Sequence, residues 1–376
     1  MKILEISPFS AGICGVWTRV FGEASRLAKK HDVYIYSSDI YRGSNEKKKA
    51  KFYEEIDNLR ITRFPTKGSF GQNTFFWNYK KQALKLKPDI IITHAYRQYY
   101  STKALEIAKK LNIPCFLVTH APFLDPKLRN WKLNLAVSIY DFFIGRRILN
   151  QYSGIIHITQ WELPYLKSLG VEDEKLIYLP NGIPNEFFST KLNKAFNNKI
   201  LFLGRVAPIK NLEILIRAIY LLKDKNINLD IVGPAEENYK NELIKLIKKL
   251  GLEENIKFYP AIYKLKEKIN LIDKYGLFVL PSKREGLPQS LIEAMARERI
   301  VISSSTMAGK ELIKPGENGF IFEIGNENQL AEIFKKILNM SKKQKEKIQK
   351  NARISVKKFA WNKLIKNIED ILAKNN

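Results

Sequence analysis

The sequence predicts an α/β protein with two parallel sheets, and three observations lead to that class. Residues 3–7 form an apolar run, a loop with two glycines follows at residues 8–15, and a helical pattern then leads to a second apolar run at residues 33–36. The same alternation of short apolar runs and helical patterns recurs after residue 200. Such alternation is typical of β-α-β units, whose strands are parallel. With 376 residues, the chain is long enough for two domains of this kind.

The composition is that of a folded protein without a membrane span. Apolar residues make up 45% of the chain, which excludes a disordered protein. No apolar run reaches the ~18 residues that a membrane-spanning helix needs, and residues 1–4 lead into a strand-like segment without the layout of a signal peptide. Cys14 and Cys115 offer neither a disulfide framework nor a metal-ligand cluster. We therefore expect a cytoplasmic protein.

The charge is strongly positive: 64 Lys and Arg against 38 Asp and Glu give a net charge of +26. Such a surface attracts nucleic acid, acidic lipid or phosphorylated ligands. Neither an aromatic-rich RNA-binding signature nor zinc-finger spacing accompanies the charge, so we expect no nucleic-acid partner. Two explanations stay open at this point, a general enrichment in lysine and a role at an anionic membrane surface.

The first half of the chain carries two candidate histidines. The loop at residues 8–15 contains Gly12 and Gly15 but lacks G-x-G-x-x-G, so the sequence does not support NAD binding. His94 ends one strand-like run, and His120 follows another at residues 114–119. Open α/β sheets bind their ligands at the carboxyl ends of strands, which favours His120 as a ligand contact, with His94 as the weaker candidate. A histidine at a strand end can also be purely structural.

Two aromatic and basic stretches also lie in the first half, at residues 64–87 and 127–147. Within the second stretch, residues 131–144 are nearly all apolar, with Lys127 and Arg129 before them and Arg146 and Arg147 after them. This segment is too short to span a bilayer. A helix that is apolar on most sides and basic at its ends is either buried in the protein or placed in a membrane interface, and both alternatives stay open.

The second half opens with a phosphate-site pattern. A buried strand is predicted at residues 200–203, and Gly204 and Arg205 begin the loop that follows it. Lys210 comes five residues after Arg205, immediately before a helical pattern. An arginine can hold a phosphate with a bidentate fork, and a lysine adds a point charge. The alternative is a solvated pair of cations.

A second pattern at residues 281–296 follows the apolar run at residues 276–280. Pro288 suits the first turn of a helix, whose N-terminus attracts anions, and Gly286 lets a ligand approach the backbone. Glu285 lies in the loop, and Glu293 lies within the helix, off its apolar face, where it could accept both hydroxyls of a ribose. These features together predict a nucleotide-sugar site. The alternative is two solvated glutamates beside a core helix.

These motifs resemble those of the retaining GT-B glycosyltransferases of family 4. The pattern of the two glutamates, with EGLP in front and EAMA behind, resembles the E-x7-E signature, and residues 204–211 resemble the G-R-x4-K-N diphosphate motif. Gly15, preceded by Cys14, resembles the N-terminal Gly-Gly loop, and Glu311 stands where the family has a Gly-Gly-x-x-Glu loop. The resemblance covers nearly the whole chain.

The resemblance implies a GT-B fold, in which two facing Rossmann-like domains enclose the active site in their cleft. Residues 1–183 would form the acceptor-side domain and residues 184–355 the nucleotide-sugar-binding domain. Residues 356–376 would form a helix that crosses back to the first domain.

The resemblance also implies roles for individual residues. His120 and Glu285 would be the catalytic contacts to the donor sugar, and Glu293 would bind the ribose. The donor diphosphate would be bound by Gly15, Arg205 and Lys210. The remaining donor-loop residues would be Gly204, Gly286, Leu287 and Glu311.

The implied activity is that of a hexosyltransferase-like enzyme that moves a sugar from a nucleoside-diphosphate sugar to an acceptor hydroxyl with retention. Neither a metal nor a cofactor would be needed beyond the nucleotide sugar. The acceptor would be a glycan or a lipid-linked glycan, and the enzyme could work peripherally on the inner face of the cell membrane. Two alternatives stay open: a non-catalytic nucleotide-sugar-binding protein and a basic scaffold.

Overall fold

The chain forms two units, each built around a mainly parallel sheet. The structure, a computed structural model, describes residues 1–12, 14–41, 49–70, 74–123, 130–193, 197–224 and 226–374. The first unit comprises Met1–Gly182 and Trp361–Asn376, and the second comprises Ile183–Ala360. The predicted α/β class with two parallel-sheet domains is confirmed, whereas the domain limits implied by the resemblance stay a prediction.

The first unit contains an eight-stranded sheet and a separate hairpin. Its strands are β1 (Lys2–Ser7), β2 (Asp32–Ser38), β3 (Tyr53–Ile56), β4 (Leu59–Phe64), β5 (Gly68–Phe70), β6 (Thr74–Phe76), β7 (Ile90–His94), β8 (Cys115–Val118), β9 (Gly154–His157) and β10 (Leu176–Tyr178). The order across the sheet is β10-β9-β8-β7-β1-β2-β4-β3, with β5 and β6 forming the hairpin. All pairings in the large sheet are parallel except that of β3 with β4. The direction of strand addition therefore reverses between β1 and β7.

Helices connect these strands. They are α1 (Gly15–Leu27), α2 (Lys80–Leu86), α3 (Tyr99–Leu111), α4 (Trp131–Tyr140), α5 (Arg146–Ile148) and α6 (Leu163–Ser168), with a π-helical turn at Asp141–Gly145. The α3 helix begins at Tyr99 with Gln98 as its N-cap, so that Ser101 lies in its first turn. The Ser101 hydroxyl accepts a hydrogen bond from Thr93 of β7 at 3.1 Å.

The two aromatic and basic stretches differ in burial. In the first stretch, Trp77 and Tyr79 are core residues that pack against Phe64, so this part of the stretch is not a surface. In the second, the α4 helix is exposed, and within this fully described helix no side chain is buried. Of the two alternatives for residues 131–144, burial in the core is therefore wrong. Lys127 and Arg129, the preceding basic residues, lie outside the described residues.

The position of α4 is fixed at its C-terminal end. Arg97, in the loop after β7, pairs with Asp141 at 2.6 Å, and Tyr96 donates to the same carboxylate at 2.9 Å. At the other end, Asn130 caps the helix by accepting from the Leu133 amide at 2.8 Å. Among the helices of the described ranges, none is both long and apolar enough to cross a membrane.

The second unit has six strands, all parallel. They are β11 (Ile200–Leu203), β12 (Leu229–Val232), β13 (Ile256–Tyr259), β14 (Leu277–Leu280), β15 (Ile300–Ser304) and β16 (Phe320–Phe322), in the order β13-β12-β11-β14-β15-β16. Its helices are α7 (Glu186–Ser189), α8 (Leu212–Leu222), α9 (Glu237–Lys249), α10 (Leu265–Ile272), α11 (Gln289–Ala296), α12 (Met307–Leu312), α13 (Glu327–Leu338) and α14 (Lys342–Val356). The direction of strand addition reverses between β11 and β14.

The last helix, α15 (Trp361–Lys374), belongs to the first unit. It buries Trp361, Leu364, Ile368 and Leu372, which lie on the apolar face that the sequence pattern indicates. The Trp361 ring fills a notch between two glycines. A Cβ on Gly182 would lie 2.3 Å from this ring, and one on Gly22 would lie 2.8 Å from it.

This notch generates a prediction about stability. Gly182→Ala should lower the free energy of unfolding by ~1–3 kcal/mol, because the added methyl group overlaps a ring that is packed on all sides. Trp361→Ala should lower it by ~3–5 kcal/mol through the cavity left behind. Urea unfolding followed by circular dichroism measures both effects.

Gly68→Ala is the matched control, since a Cβ at Gly68 would meet no atom within 4 Å. It should change stability by less than ~0.5 kcal/mol. An equal effect of the two glycine substitutions would contradict the packing role of the notch.

Candidate functional site

Three loops of the second unit meet at the carboxyl edge of its sheet. They follow β11, β12 and β14, at residues 204–211, 233–236 and 281–288. Val206 N–H donates to Pro234 O at 2.8 Å, and Lys283 N–H donates to Ile209 O at 2.9 Å, so that backbone hydrogen bonds join the loops. Because strand order reverses between β11 and β14, the loops on either side of this point border a crevice of the kind in which α/β sheets bind ligands.

Two predicted site residues are in contact at this crevice. Lys210, after β11, places its Nζ 2.6 Å from Glu285 Oε1, after β14. Ser282 donates its hydroxyl to the same carboxylate oxygen at 2.6 Å. Both charged side chains are largely shielded from solvent, with 18% and 11% of their surface exposed. The predicted phosphate ligand and the predicted sugar contact therefore lie side by side.

Arg205, the other predicted phosphate ligand, lies at the start of the same loop and pairs with Glu236 at 2.8 Å. This pair is exposed, with 40% and 48% of the two side chains accessible. Exposed ion pairs contribute ~0–1 kcal/mol, so Arg205 can exchange this partner for a ligand anion at little cost. Glu236 is a residue that sequence reasoning missed, because it is 31 positions from Arg205.

The glycine at the end of β12 is required by close packing. Gly233 has φ +149°, and a Cβ there would lie 2.0 Å from Gly204 O. Beside it lies an open cleft of about 420 Å³ that borders the carboxyl ends of β12 and β13. Its lining includes three aromatic residues, Phe258, Tyr259 and Tyr263, and Tyr263 is 73% exposed. This cleft was not predicted from the sequence.

Glu293 lies in α11, where it is only 3% exposed. The alternative of a solvated glutamate is wrong at this position, because α11 is buried from Leu291 to Ala296. Lys268 of α10 compensates the carboxylate, with Nζ 2.6 Å from both of its oxygens. Pro288 is the residue before α11 rather than part of its first turn.

The remaining donor-loop residues surround the same edge. Gly286 is half-buried and Leu287 is buried in the loop before α11. Glu311 lies in α12, a helix capped by Thr306, whose hydroxyl accepts from the Gly309 amide at 3.1 Å. A Cβ at Gly309 would lie 2.6 Å from Ser304 O, which explains the glycine at this position.

In the first unit, His120 follows β8 in a strained backbone conformation. His120 and Ala121 have φ values of +59° and +51°, which side-chain-bearing residues adopt only when their surroundings impose it. The buried carboxylate of Glu162 holds this turn, since it accepts from the Ala121 amide at 3.0 Å and from the Thr119 hydroxyl. Glu162 also accepts from the Ile158 amide at 2.9 Å. Sequence reasoning missed this residue.

A hydrogen-bonded chain lies behind His120. His94 Nδ1 is 3.0 Å from His120 Nε2, and His94 Nε2 is 3.1 Å from Glu5 Oε2. Burial lowers the pKa of His120 to about 3 and lowers the pKa of His94 well below its usual range. Both imidazoles are therefore neutral at physiological pH. The two candidate histidines are brought together, and Glu5, another residue that sequence reasoning missed, completes the chain.

Gly15, the predicted phosphate contact of the first unit, is the first residue of α1, and Cys14 is its N-cap. A Cβ at Gly15 would meet no atom within 4 Å, so the protein itself does not require glycine there. One turn further along α1, Arg19 pairs with Glu23 at 3.0 Å, and both side chains are fully buried. Within the described ranges, no group of three or more His, Cys, Asp or Glu side chains is arranged to hold a metal ion.

Two family models match the chain, one over each half. The model for Glycosyltransferase Family 4 matches residues 13–187, and the model for Glycosyl transferases group 1 matches residues 184–355. The chain belongs to the GT-B glycosyltransferases. The first model matches most of the first unit of this glycosyltransferase, and the second model matches most of its second unit.

Known proteins resemble this glycosyltransferase over between about half and all of its length. An uncharacterised glycosyltransferase of Methanocaldococcus jannaschii, MJ1178, is 25% identical over 99% of this chain and 97% of its own length. The capsular polysaccharide biosynthesis glycosyltransferase CapH of Staphylococcus aureus is 32% identical over 56% of this chain and 64% of its own. Among solved structures, Anabaena HepE in complex with UDP and glucose has a TM-score of 0.77 at 19% identity, covering both chains fully.

Proposed function

We propose that this glycosyltransferase moves a hexose from a nucleoside-diphosphate sugar to a glycan hydroxyl, with retention of anomeric configuration and without a metal ion. The observation that carries the proposal is the contact between Lys210 and Glu285 at the crevice of the second unit, with Arg205 at the start of the same loop as Lys210. Two cations and a carboxylate suit a ligand that carries a diphosphate next to hydroxyl groups. The UDP complex of the HepE neighbour supports a nucleotide-sugar donor.

Arg205 and Lys210 are the proposed ligands of the diphosphate. The leaving group of the reaction is a nucleoside diphosphate, whose negative charge grows as the sugar–oxygen bond breaks. Preorganised cations at that point stabilise the transition state more than the ground state. The two side chains thereby supply the charge stabilisation that a divalent ion supplies in other transferases, so the reaction proceeds without one.

Glu293 is the proposed ribose ligand. Its carboxylate is buried and is held by Lys268 at 2.6 Å. The orientation of the carboxylate is therefore fixed before a ligand binds. Charge-assisted hydrogen bonds from two ribose hydroxyls are strong and directional. The cleft lined by Tyr259 and Tyr263 at the carboxyl ends of β12 and β13 is the proposed base site, because exposed aromatic rings stack on nucleobases.

Retention is proposed through front-side attack. The double-displacement scheme needs an acid and a nucleophile ~5 Å apart across the scissile bond, but Glu285 is already bonded to Lys210 and Ser282. In the front-side scheme, the acceptor oxygen bonds to the anomeric carbon on the face from which the diphosphate departs. The acceptor proton passes to the departing phosphate oxygen. His120 and Gly15 of the first unit are the proposed contacts to the donor sugar and phosphates.

A glycan at an anionic membrane is the proposed acceptor environment. Seven large apolar side chains of α4 and the following π-helical turn are exposed, namely Trp131, Leu133, Leu135, Ile139, Phe142, Phe143 and Ile144. Lys132, Arg146 and Arg147 are exposed beside them. Such a surface suits shallow insertion between anionic headgroups. The capsular polysaccharide role of the CapH relative supports an acceptor of this class.

The donor test uses a panel of nucleoside-diphosphate sugars, with hydrolysis and transfer as readouts. Lys210→Met and Arg205→Ala should each lower turnover by roughly 10²–10³, because a stabilising charge on the leaving group is lost. Lys335→Met, which removes an exposed cation paired with Glu332, is the control and should have wild-type activity. Activity should persist in EDTA, and NMR of the product should show the donor's anomeric configuration.

Binding without turnover across the panel would favour a non-catalytic nucleotide-sugar-binding protein. Failure to bind any of the donors would favour a basic scaffold. Near-wild-type turnover in folded Lys210→Met would remove the diphosphate assignment.

Substitution of the two glutamates should have different effects on UDP binding and on transfer. Glu293→Ala should weaken binding of free UDP by about 10–100-fold, because each hydrogen bond to a charged group contributes ~1.5–3 kcal/mol. Glu285→Ala should change UDP affinity little but lower transfer, since its proposed partner is the sugar. Isothermal calorimetry with UDP and a transfer assay separate the two results. Equal losses of UDP affinity would contradict this division of roles.

Lys268→Met extends this comparison. It leaves the buried Glu293 carboxylate uncompensated, so UDP affinity should fall toward that of Glu293→Ala. The control is Lys264→Met, because Lys264 precedes the same helix but is 81% exposed. It should bind UDP like the wild type.

Membrane association has its own prediction. The protein should sediment with anionic vesicles at low salt and less so at high salt, since each basic group near the surface contributes ~1 kcal/mol. Phe142→Ser should weaken the partitioning by about tenfold or more, because burial of a phenylalanine contributes ~1.5–3 kcal/mol. Ile354→Ser is the control, an equally exposed apolar residue in the lysine-rich helix α14. The absence of enrichment on anionic vesicles at low salt would contradict the proposal.

A further inference from the structure

A chain of three polar side chains crosses the first sheet from β1 to the loop after β8. Glu5 contacts His94 at 3.1 Å, and His94 contacts His120 at 3.0 Å. Glu5 and His94 are fully shielded from solvent, whereas His120 is partly exposed. Because His94 engages Nε2 of His120, the ring nitrogen of His120 that remains for contacts outside the chain is Nδ1.

The two contacts allow two proton arrangements while both imidazoles are neutral. Each neutral imidazole has one N–H donor and one acceptor nitrogen. If Glu5 is a carboxylate, it accepts from His94 Nε2–H, and His94 Nδ1 accepts from His120 Nε2–H. His120 Nδ1 is then an acceptor. If Glu5 is protonated, it donates to His94 Nε2, His94 Nδ1–H donates to His120 Nε2, and His120 Nδ1 carries a proton.

The neighbouring charges favour the second arrangement. Arg19 and Glu23 form a buried pair at 3.0 Å, and this pair is neutral as a whole. An ionised Glu5 would be a second carboxylate beside a single guanidinium, and a buried charge without its own partner tends to be neutralised. Accordingly, burial and repulsion from Glu23 raise the pKa of Glu5 well above its usual range, against the attraction of Arg19. Burial also raises the pKa of Glu23, but the direct pair and hydrogen bond with Arg19 oppose that rise. The same burial keeps both imidazoles neutral.

We propose that Glu5 and His94 are positioning residues that hold His120 as the neutral tautomer with its proton on Nδ1. His120 then offers a hydrogen-bond donor to an oxygen of the bound sugar or phosphate, a role that rests on the proposed function. The strained turn at His120 and Ala121, held by Glu162, fixes the backbone end of the same ring. The ring is thus constrained at both ends, as a precise contact to a ligand requires.

The tautomer can be read directly by NMR. The chain has four histidines, so long-range 15N–1H spectra of the 15N-histidine-labelled protein at neutral pH resolve each ring. We expect His120 to show a protonated Nδ1 and an unprotonated Nε2, in the absence of any ligand. An Nε2–H tautomer or an equal mixture at His120 in the wild-type protein would overturn the proposal.

Substitution of Glu5 tests the source of the tautomer. Glu5→Gln should keep the Nδ1–H form, because the amide can also donate to His94 Nε2. Glu5→Met, which has neither donor nor acceptor, should replace the single tautomer of His120 by a mixture. The control is His157→Gln, because His157 is a buried strand-end histidine that bonds Thr159 O instead and should leave the His120 signals unchanged. If Glu5→Met does not fold, the wild-type and Glu5→Gln spectra decide the question.

Kinetics separate this inference from the proposed function. Glu5→Met should lower kcat by about tenfold to a hundredfold, the loss expected when a reacting contact is misplaced, with the donor KM within about twofold. In the His120→Ala background, Glu5→Met should not lower kcat any further, because Glu5 acts on the reaction only through His120. An additive loss would overturn the positioning role. If His120→Ala had wild-type turnover while the wild-type protein showed the expected spectra, His120 would have no role in the reaction. The assignment of its tautomer would still stand.

Discussion

Parallel pairing of strands is the constraint on which both units depend. It sends the carboxyl end of every paired strand to one edge, so loops that are far apart in sequence begin side by side. Helical crossovers bury both faces of the sheet, which leaves this edge as the place where polar side chains can gather. In the second unit the edge collects Lys210 and Glu285, which are 75 residues apart. In the first unit it collects His94 and His120, whose strands are neighbours.

The two units solve the problem of buried charge in different ways. In the second unit, the buried carboxylates of Glu293 and Asp273 each pair with a cation on another segment, Lys268 and Arg297 respectively. In the first unit, Arg19 pairs with Glu23, while burial and repulsion from Glu23 raise the pKa of Glu5, which favours retention of a proton on Glu5. A cluster with fewer cations than acids is poorly suited to pure stabilisation, since an apolar core of the same volume would avoid the desolvation cost. Its value lies in the hydrogen-bond directions that it imposes.

The fold class and the linear motifs could be predicted from the sequence because they depend on local patterns. Alternating apolar runs indicate parallel sheets, and Arg205, Lys210, Glu285 and Glu293 each stand at a fixed spacing within a short segment. Glu5, Glu162 and Lys268 could not be found in this way, because each acts on a residue that is between 25 and 89 positions away. The exposure of α4 could not be predicted from the sequence either. A segment that is apolar on all sides has no periodicity to distinguish burial in a core from exposure, and Trp77 shows that aromatic content does not distinguish them either.

The ion pair between Lys210 and Glu285 has a consequence for how the molecule responds to anions. At 2.6 Å, the ammonium and carboxylate form a short dipole, whose field falls off with distance far faster than that of a free cation. A small inorganic anion that approaches the crevice therefore meets a neutralised lysine. A ligand that carries hydroxyl groups beside its phosphates can satisfy both members of the pair at once. Under the proposed function, this pair would therefore favour a ligand with hydroxyl groups beside its phosphates over a small inorganic anion, even on a chain whose net charge is +26.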